Sequence, residues 1–260
     1  MKASENIHKW VKSAALNVYS PILLAVVWEI LSRAGLLSPV LFPPPSKVLY
    51  EVYSLLTQGI LAKDVSISLF RILSGLALGA LPGVALGILS ARSKKAYYFL
   101  HPLVSLTYPI PKIAIIPFLI LFFGIGEVSK IVLVALGSFF LVFINTYHGV
   151  SNIDIRYFDA ARIYALSRTD RWFYIIIPAS LPSIFNGLKL AAGMCFVLVV
   201  AAEFIGGTKG IGYRIWSSWE NFNVTRMLAA LMVLSFLGWG MNVIIEQLEK
   251  LSMPWRKREA

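Results

Sequence analysis

The run Gly206-Gly207-Thr208-Lys209-Gly210-Ile211-Gly212 has a composition that could cradle a phosphate. A phosphate loop, however, needs Gly-Lys followed by Ser or Thr, opening a soluble helix after a strand, and here Lys209 is followed by Gly210. The glycines fit a tight loop instead. Metal and thiol chemistry find little support. One cysteine, Cys195, excludes an intrachain disulfide framework and a Cys-based zinc site, and the three histidines are scattered. Cys195 is expected to pack as a small hydrophobe, and His148 to join Asn145 and Tyr147 in a polar cluster. No Ser/His dyad or His/Asp cluster supports an enzyme. What remains is charge within apolar sequence. Lys112 lies among Pro109, Pro111 and Pro117, where freed carbonyls and a cation could line a cavity used by an anion, or where the lysine could snorkel to an interface. Glu203 and Lys189 are fourteen residues apart. On one helix that is about 21 Å, so they cannot pair with each other. They are expected near membrane interfaces, or facing protein or water.

The elements that must position these groups follow from composition. Of 260 residues, 58% are hydrophobic and 14% charged, against about 45–50% and 25% in ordinary globular domains. This excludes a disordered chain, a collagen-like chain and a nucleic-acid-binding tail, and makes the lipid bilayer the first candidate for solvent. Six apolar runs are long enough to cross it: Ala14 to Leu31, Ile67 to Leu89, Phe99 to Phe123, Ile131 to Val150, Ile184 to Ile205 and Met227 to Ile245. The third is interrupted by Pro102, Pro109, Pro111 and Pro117. The first lacks a small-residue cleavage site and is expected to stay as a membrane helix. The net charge of +11 orients the set, because Lys and Arg are retained on the cytoplasmic side. With the N-terminus inside, fourteen basic residues fall in inner segments and seven in outer ones, leaving Arg71, Lys112 and Lys189 within spans. Both termini are expected in the cytoplasm.

Three connections are too long for turns. An outer one carries Pro43, Pro44 and Pro45, then Ser46 as an N-cap and Val48, Leu49, Val52, Leu55 and Leu56 at helical spacing, which predicts an amphipathic surface helix. Another outer one continues from the glycine run into Tyr213, Trp216, Trp219 and Phe222, an interfacial aromatic set. The inner one, residues 151–183, predicts a short helix with Phe158, Ala161 and Ala165 on one small apolar face and Asp159 in its first turn. Pro178 and Pro182 are expected to separate it from the fifth span. Small residues on an exposed face would admit another protein surface. A helix resting on lipid headgroups is the simpler alternative.

This inner segment resembles the cytoplasmic signature of bacterial ABC importer permeases, in which Glu-Ala-Ala is followed by three residues, Gly, nine residues and Ile-x-Leu-Pro. The chain has Asp159-Ala160-Ala161, three residues, Ala165, nine residues from Leu166 to Tyr174, and Ile175-Ile176-Ile177-Pro178. Ala165 stands where the pattern has Gly, which argues against a sharp bend there. The segments from Thr107 to Ile131 and from Ala201 to Tyr213, with LFPPPSKV near Leu41, are similar to the branch that imports nitrate, sulfonates, taurine or bicarbonate. The resemblance implies an all-α membrane protein of about six spans with the type I importer permease fold. Residues 1–260 would form one permease domain, with core helices over 67–250. The chain would act as a homodimer with two cytoplasmic ATPase subunits and an external solute-binding protein, the ATP and Mg being held by the ATPase. Asp159, Ala160, Ala161, Ala165, Leu166, Arg168 and Pro178 would couple to that ATPase. Pro109, Pro111, Lys112, Pro117, Glu203, Gly206 and Gly207 would line or gate the path. An ion-gradient-driven transporter or channel is the rival, but it usually places ionisable residues near mid-membrane, whereas Glu29 and Glu203 lie near span ends.

Overall fold

The computed structural model describes residues 19–255, and every element in them is helical. Four helices are long and apolar enough to cross a membrane: α3 (Ile60–Arg92), α6 (Glu127–Ser151), the continuous helix Arg168–Gly206, and α11 (Val224–Ser252). Each contains one of the predicted runs. The first run begins outside the described residues, and α1 is helical over 19–33. The third run is not one straight crossing. It forms α4 (Lys94–Thr107), a short 3₁₀ turn (Lys112–Ile115) and α5 (Ile116–Phe123), with a 90° bend between the two halves. Pro109 and Pro111 account for the break, since neither has an N–H to continue the ladder and each disfavours helix in the residue before it. Pro117 lies in the first turn of α5, where a missing N–H costs nothing.

Two compact units are distinguished by their internal packing. One comprises residues up to Ala62 together with Arg214–Met232. In it, α2 (Pro45–Thr57) is the predicted amphipathic helix, burying Val48 and Leu55 while leaving Leu49 and Leu56 exposed. Its N-cap is Pro44, not Ser46. The Ser46 hydroxyl and N–H instead donate to Glu29 at 2.8 and 3.0 Å, and Glu29 also pairs with Arg33, so α1 and α2 are joined through one carboxylate. Arg226 of α11 donates to Glu51 of α2 at 2.7 Å.

The other unit, Lys63–Tyr213 with Val233–Ala260, holds the core. Its contacts are dominated by close helix crossings that small residues permit. Gly75, Gly79, Gly83 and Gly87 recur every four residues along α3, forming a stripe on which α6 lies. A Cβ at Gly79 would meet the Ser138 Oγ at 2.1 Å and the Ala135 carbonyl oxygen at 2.2 Å, so the backbones approach more closely than any side chain allows. In lipid, where apolar contact alone gives no preference for helix over tail, such close packing is what holds helices together. On its other side α6 packs on α9 (Ile177–Gly206), with Gly137 against Leu198 and Gly187 against Asn145. Ile72, Leu133, Val134, Cys195, Leu198 and Val199 fill the centre. Cys195 is fully buried among apolar side chains, as expected. Half of the most apolar window of α6 is buried but only 22% of that of α11, so α6 is central and much of α11 offers apolar side chains outward.

Candidate functional site

Arg71 organises a buried polar cluster at the end of α9. Asp64, Ser68 and Arg71 follow one another at i, i+4 and i+7 on α3, which places them on one helical face. Arg71, 2% exposed, donates Nε and Nη2 to the two oxygens of Glu127 at 2.6 and 2.5 Å, and Nη1 to Glu203 at 2.6 Å and to the Lys209 carbonyl at 3.0 Å. Glu203 is wholly buried. Its Oε1 also accepts from Ser68 at 2.8 Å, and its Oε2 from the Gly212 N–H at 2.7 Å. Asp64 accepts from the Gly210 N–H at 3.0 Å, and the Ser68 hydroxyl from the Ile211 N–H at 2.9 Å. The loop between α9 and α10 (Ile211–Glu220) is thus fixed through its own backbone to one face of α3.

This geometry explains the glycine run. Gly210 has φ +117° and its N–H points at Asp64, while a Cβ there would stand 2.5 Å from the Glu203 carboxylate. A Cβ at Gly212 would meet the same side chain at 2.9 Å. Only residues without side chains let a loop close around a buried carboxylate this tightly. Gly206 ends α9, and Gly207 follows it in extended conformation with its N–H on the Glu203 carbonyl.

Of the alternatives for the span charges, facing protein holds for both: Glu203 is paired with Arg71, and Lys189 with Glu249 of α11, so neither snorkels. Sequence reasoning left Arg71 unassigned and overlooked Asp64, Ser68 and Glu127. The available signal was an arginine inside a span, which needs a carboxylate partner, together with Asp and Ser at helical spacing on the same face.

Lys112 is 7% exposed and donates all three of its hydrogens. They go to the carbonyls of Thr107, Tyr108 and Ile110, at 2.8, 3.1 and 3.0 Å, and the ammonium lies 4.2 Å from the centre of the Phe140 ring. It closes the frayed end of α4, giving the Tyr108 and Ile110 carbonyls a donor and sharing the Thr107 carbonyl with the Ile110 N–H. Its hydrogen bonds are spent on the bend, so neither snorkelling nor free exposure to a path describes it.

The segment 151–183 forms two short helices and a turn. α7 (Ile155–Ile163) is capped by Asp154, which accepts from the Arg156 N–H, and Asp159 lies beyond the first turn, paired with Arg162. The Arg156 guanidinium and then its backbone N–H hold the Asp154 carboxyl below the ordinary carboxylate range. Ala165 adopts φ +51°, so the sharp bend is present without a glycine. The Leu166 N–H donates back to the Ala161 carbonyl and the Ala165 N–H to Arg162, the two bonds of a Schellman-type stop that outweigh the left-handed strain. Ser167 and Asp170 then form a capping box that starts α8 (Arg168–Arg171). Pro178 and Pro182 do not separate this segment from the fifth span. Arg168–Gly206 is one helix, in which a wider π turn at Trp172–Ile176 directly precedes Pro178 and gives its ring room. Ala161 is 1% exposed, so it does not lie on a free face. Phe158 packs beneath the Arg92 guanidinium. The outward side chains are instead Ile155, Tyr157, Ile163 and Tyr164, the last two about four-fifths exposed (82% and 79%). Ala160, Ala165 and Arg168 are exposed and Leu166 is half-buried.

The polar cluster expected around His148 is largely aromatic. Tyr147 stacks on Tyr97 and touches His101 and His148, while Asn145 donates back to the Leu141 carbonyl. Among the described residues no group of three or more potential ligands could hold a metal ion.

Comparison with known proteins accords with this architecture. Residues 83–257 match the family model described as "Binding-protein-dependent transport system inner membrane component". The chain is 31% identical over 98% of its length to the putative aliphatic sulfonates transport permease protein SsuC of Bacillus subtilis (strain 168), covering 91% of that protein. It is 30% identical over 94% of its length to the taurine transport system permease protein TauC of Escherichia coli (strain K12), covering 90% of that one. The fold matches a chain of the MetNI methionine ABC transporter in an inward-facing conformation with a TM-score of 0.63, over 74% of this chain and 95% of that one at 19% identity. The chain therefore belongs to the inner-membrane permease family of binding-protein-dependent ABC importers, and is a multi-pass protein of the bacterial cytoplasmic membrane.

Proposed function

We propose that this permease moves a small anion inward, a sulfonate such as taurine first, with nitrate or bicarbonate as further candidates. The observation that carries the proposal is the similarity to sulfonate and taurine permeases along almost the whole chain. In this reading it works as a homodimer with two ATPase subunits, which hold ATP and Mg, and an external solute-binding protein. Residues 1–260 form one permease domain crossing the membrane six times with both termini cytoplasmic, the bent pair α4/α5 serving as one crossing. The segment 151–183 docks on the ATPase through the exposed side chains around Ile163 and Tyr164. Spans three to five enclose the path, and Glu203, Gly206 and Gly207 gate it through the loop that Glu203 anchors.

Reconstituted vesicles holding permease, ATPase and binding protein test this directly. Uptake of labelled taurine is expected only when ATP is supplied on the ATPase side and all three components are present. Uptake driven by an ion gradient alone would establish the secondary-transporter alternative, and a cognate solute that is neutral or cationic would overturn the anion assignment. Because Cys195 is the one cysteine and is buried, Ser167→Cys and Thr208→Cys can be labelled without removing it. An impermeant maleimide on intact cells should reach position 208 and not 167, and the reverse pattern would invert the topology.

A further inference from the structure

Lys130 is a charged group beside the Arg71 cluster that makes no hydrogen bond or ion pair among the described residues. It sits in the first turn of α6, only 6% exposed, and lines a small, partly open cavity with Ser129, Leu133, Ala202, Gly206 and residues of α5. Its charge lies among those of Arg71, Glu127 and Glu203, yet its ammonium donates no hydrogen bond to any described residue. Both neighbouring carboxylates turn to other donors. Glu127 receives two donors from Arg71, and Glu203 receives Ser68, Arg71 and the Gly212 N–H. A lysine whose stem is buried but whose ammonium opens on a cavity, with no acceptor among the described residues, can take one from outside the chain. Two further features favour an anion as that acceptor. The cavity lies at the N-terminal turn of a 25-residue helix whose N-cap, Gly126, supplies no side-chain acceptor, and such a terminus attracts negative charge. The remaining wall, Ile116, Leu119, Ile120 and Ile125, is apolar, suited to an alkyl group.

We propose that Lys130 is an anion-binding residue of the transport route, its ammonium taking one oxygen of a small oxyanion, with a sulfonate's carbon chain lying along the isoleucines of α5 and its following loop. The site deepens the anion reading of the preceding section and rests on it for its role in transport, but not for the binding itself. As the cavity stands it admits only an atom-sized group, so one oxygen is held inside and the body of the solute lies at the mouth, where Ile125 is 73% exposed.

The purified permease–ATPase complex in nanodiscs gives the test, with ethanesulfonate as probe and ethyl methyl sulfone as its neutral counterpart. Ethanesulfonate should raise the thermal midpoint of the wild-type complex while the sulfone does not, and Lys130→Met should weaken the ethanesulfonate effect about tenfold or more, as expected for loss of a charge-assisted hydrogen bond. Lys130→Arg should retain part of it. Ile125→Glu, a change at an exposed position, should abolish it by placing a like charge at the mouth, and this variant decides the matter if Lys130→Met does not fold. No ethanesulfonate effect in the wild type, or an undiminished one in both Lys130→Met and Ile125→Glu, would overturn the inference. A Lys130-dependent effect of phosphatidylglycerol in place of ethanesulfonate would assign the site to a lipid headgroup and overturn its role in transport. Uptake assays separate this outcome from failure of the substrate reading. If taurine is the transported solute and Lys130→Met transports it at the wild-type rate, the site falls while the anion reading stands. If the transported solute is neutral, the anion reading falls while the binding data still decide whether Lys130 holds an oxyanion.

Discussion

Arg71 is bound to two carboxylates and a carbonyl while being 2% exposed, so its removal leaves more behind than it takes away. Arg71→Met strands the fully buried Glu203 carboxylate, and breaking a buried pair from one side costs about 3–5 kcal/mol. Glu203→Gln is expected to cost less, because it leaves no buried charge unpaired, its one amide oxygen still accepts from Ser68 and Arg71, and Arg71 keeps Glu127, the loss being the acceptor of the Gly212 N–H. Thermal midpoints of the two purified variants check the order, and equal losses would mean that the ion pair does not hold the loop. None of this network was legible as a network in the sequence. Glu203 stands out near the end of a span, but its partners on α3 are 132 residues away at Arg71 and 135 away at Ser68, and no local pattern encodes a pairing of that reach. Lys112 shows the converse. The prolines do mark a place of freed carbonyls, but the lysine satisfies carbonyls of that bend itself and neither snorkels nor offers its charge to a path.

Helix packing turns on positions where a side chain is missing. At Gly79 a methyl group would overlap both a side-chain oxygen and a backbone carbonyl of α6, so Gly79→Ala must push two helices apart. Overpacking of this kind costs about 1–3 kcal/mol. At Gly238 on α11 a Cβ meets nothing within 4 Å, so Gly238→Ala should be neutral or slightly stabilising; comparing the two midpoints separates close approach from the general preference of helices for alanine. Ala165 predicts the opposite sign. A left-handed alanine is strained by about 1–2 kcal/mol, so Ala165→Gly should slow hydrogen exchange at the Leu166 amide, provided the strain exceeds the extra chain entropy that glycine brings. An unchanged rate would show that the turn is held without strain. Long apolar runs made the four straight spans readable, since in a bilayer the solvent sets the length of the element. The bend in the third run was signalled by its prolines, but not its angle, because what the chain does after a helix break depends on neighbours such as Phe140 that stack against it.

At the scale of the whole molecule, the segment 151–183 has to carry force between soluble and membrane parts in the proposed assembly, and its construction bears on how it could do so. α8 is continuous with α9 through the π turn, so the Arg168 end and the Glu203 end belong to one 39-residue helix. In the proposed assembly a push on the turn before Arg168 would pass along this one helix to the loop that Glu203 anchors. On that proposal the docking surface is the exposed side of α7 and its following turn, and not the small-residue face suggested by spacing, because Ala161 is buried. That distinction can be measured. Ala161→Asp buries a carboxylate without a partner and should destabilise the segment itself, lowering expression and midpoint together with transport. Ile163→Asp alters a side chain that is 82% exposed, and should leave the midpoint of the isolated permease within a degree or two, surface changes being worth about 0.5 kcal/mol or less. It should nonetheless sharply reduce both co-purification with the ATPase and taurine-stimulated ATP hydrolysis, since it places a charge in an apolar interface. If Ile163→Asp assembles and transports normally while the permease is well folded, contact with the ATPase is not made through this side of α7, and the segment does not transmit force in the way its geometry suggests.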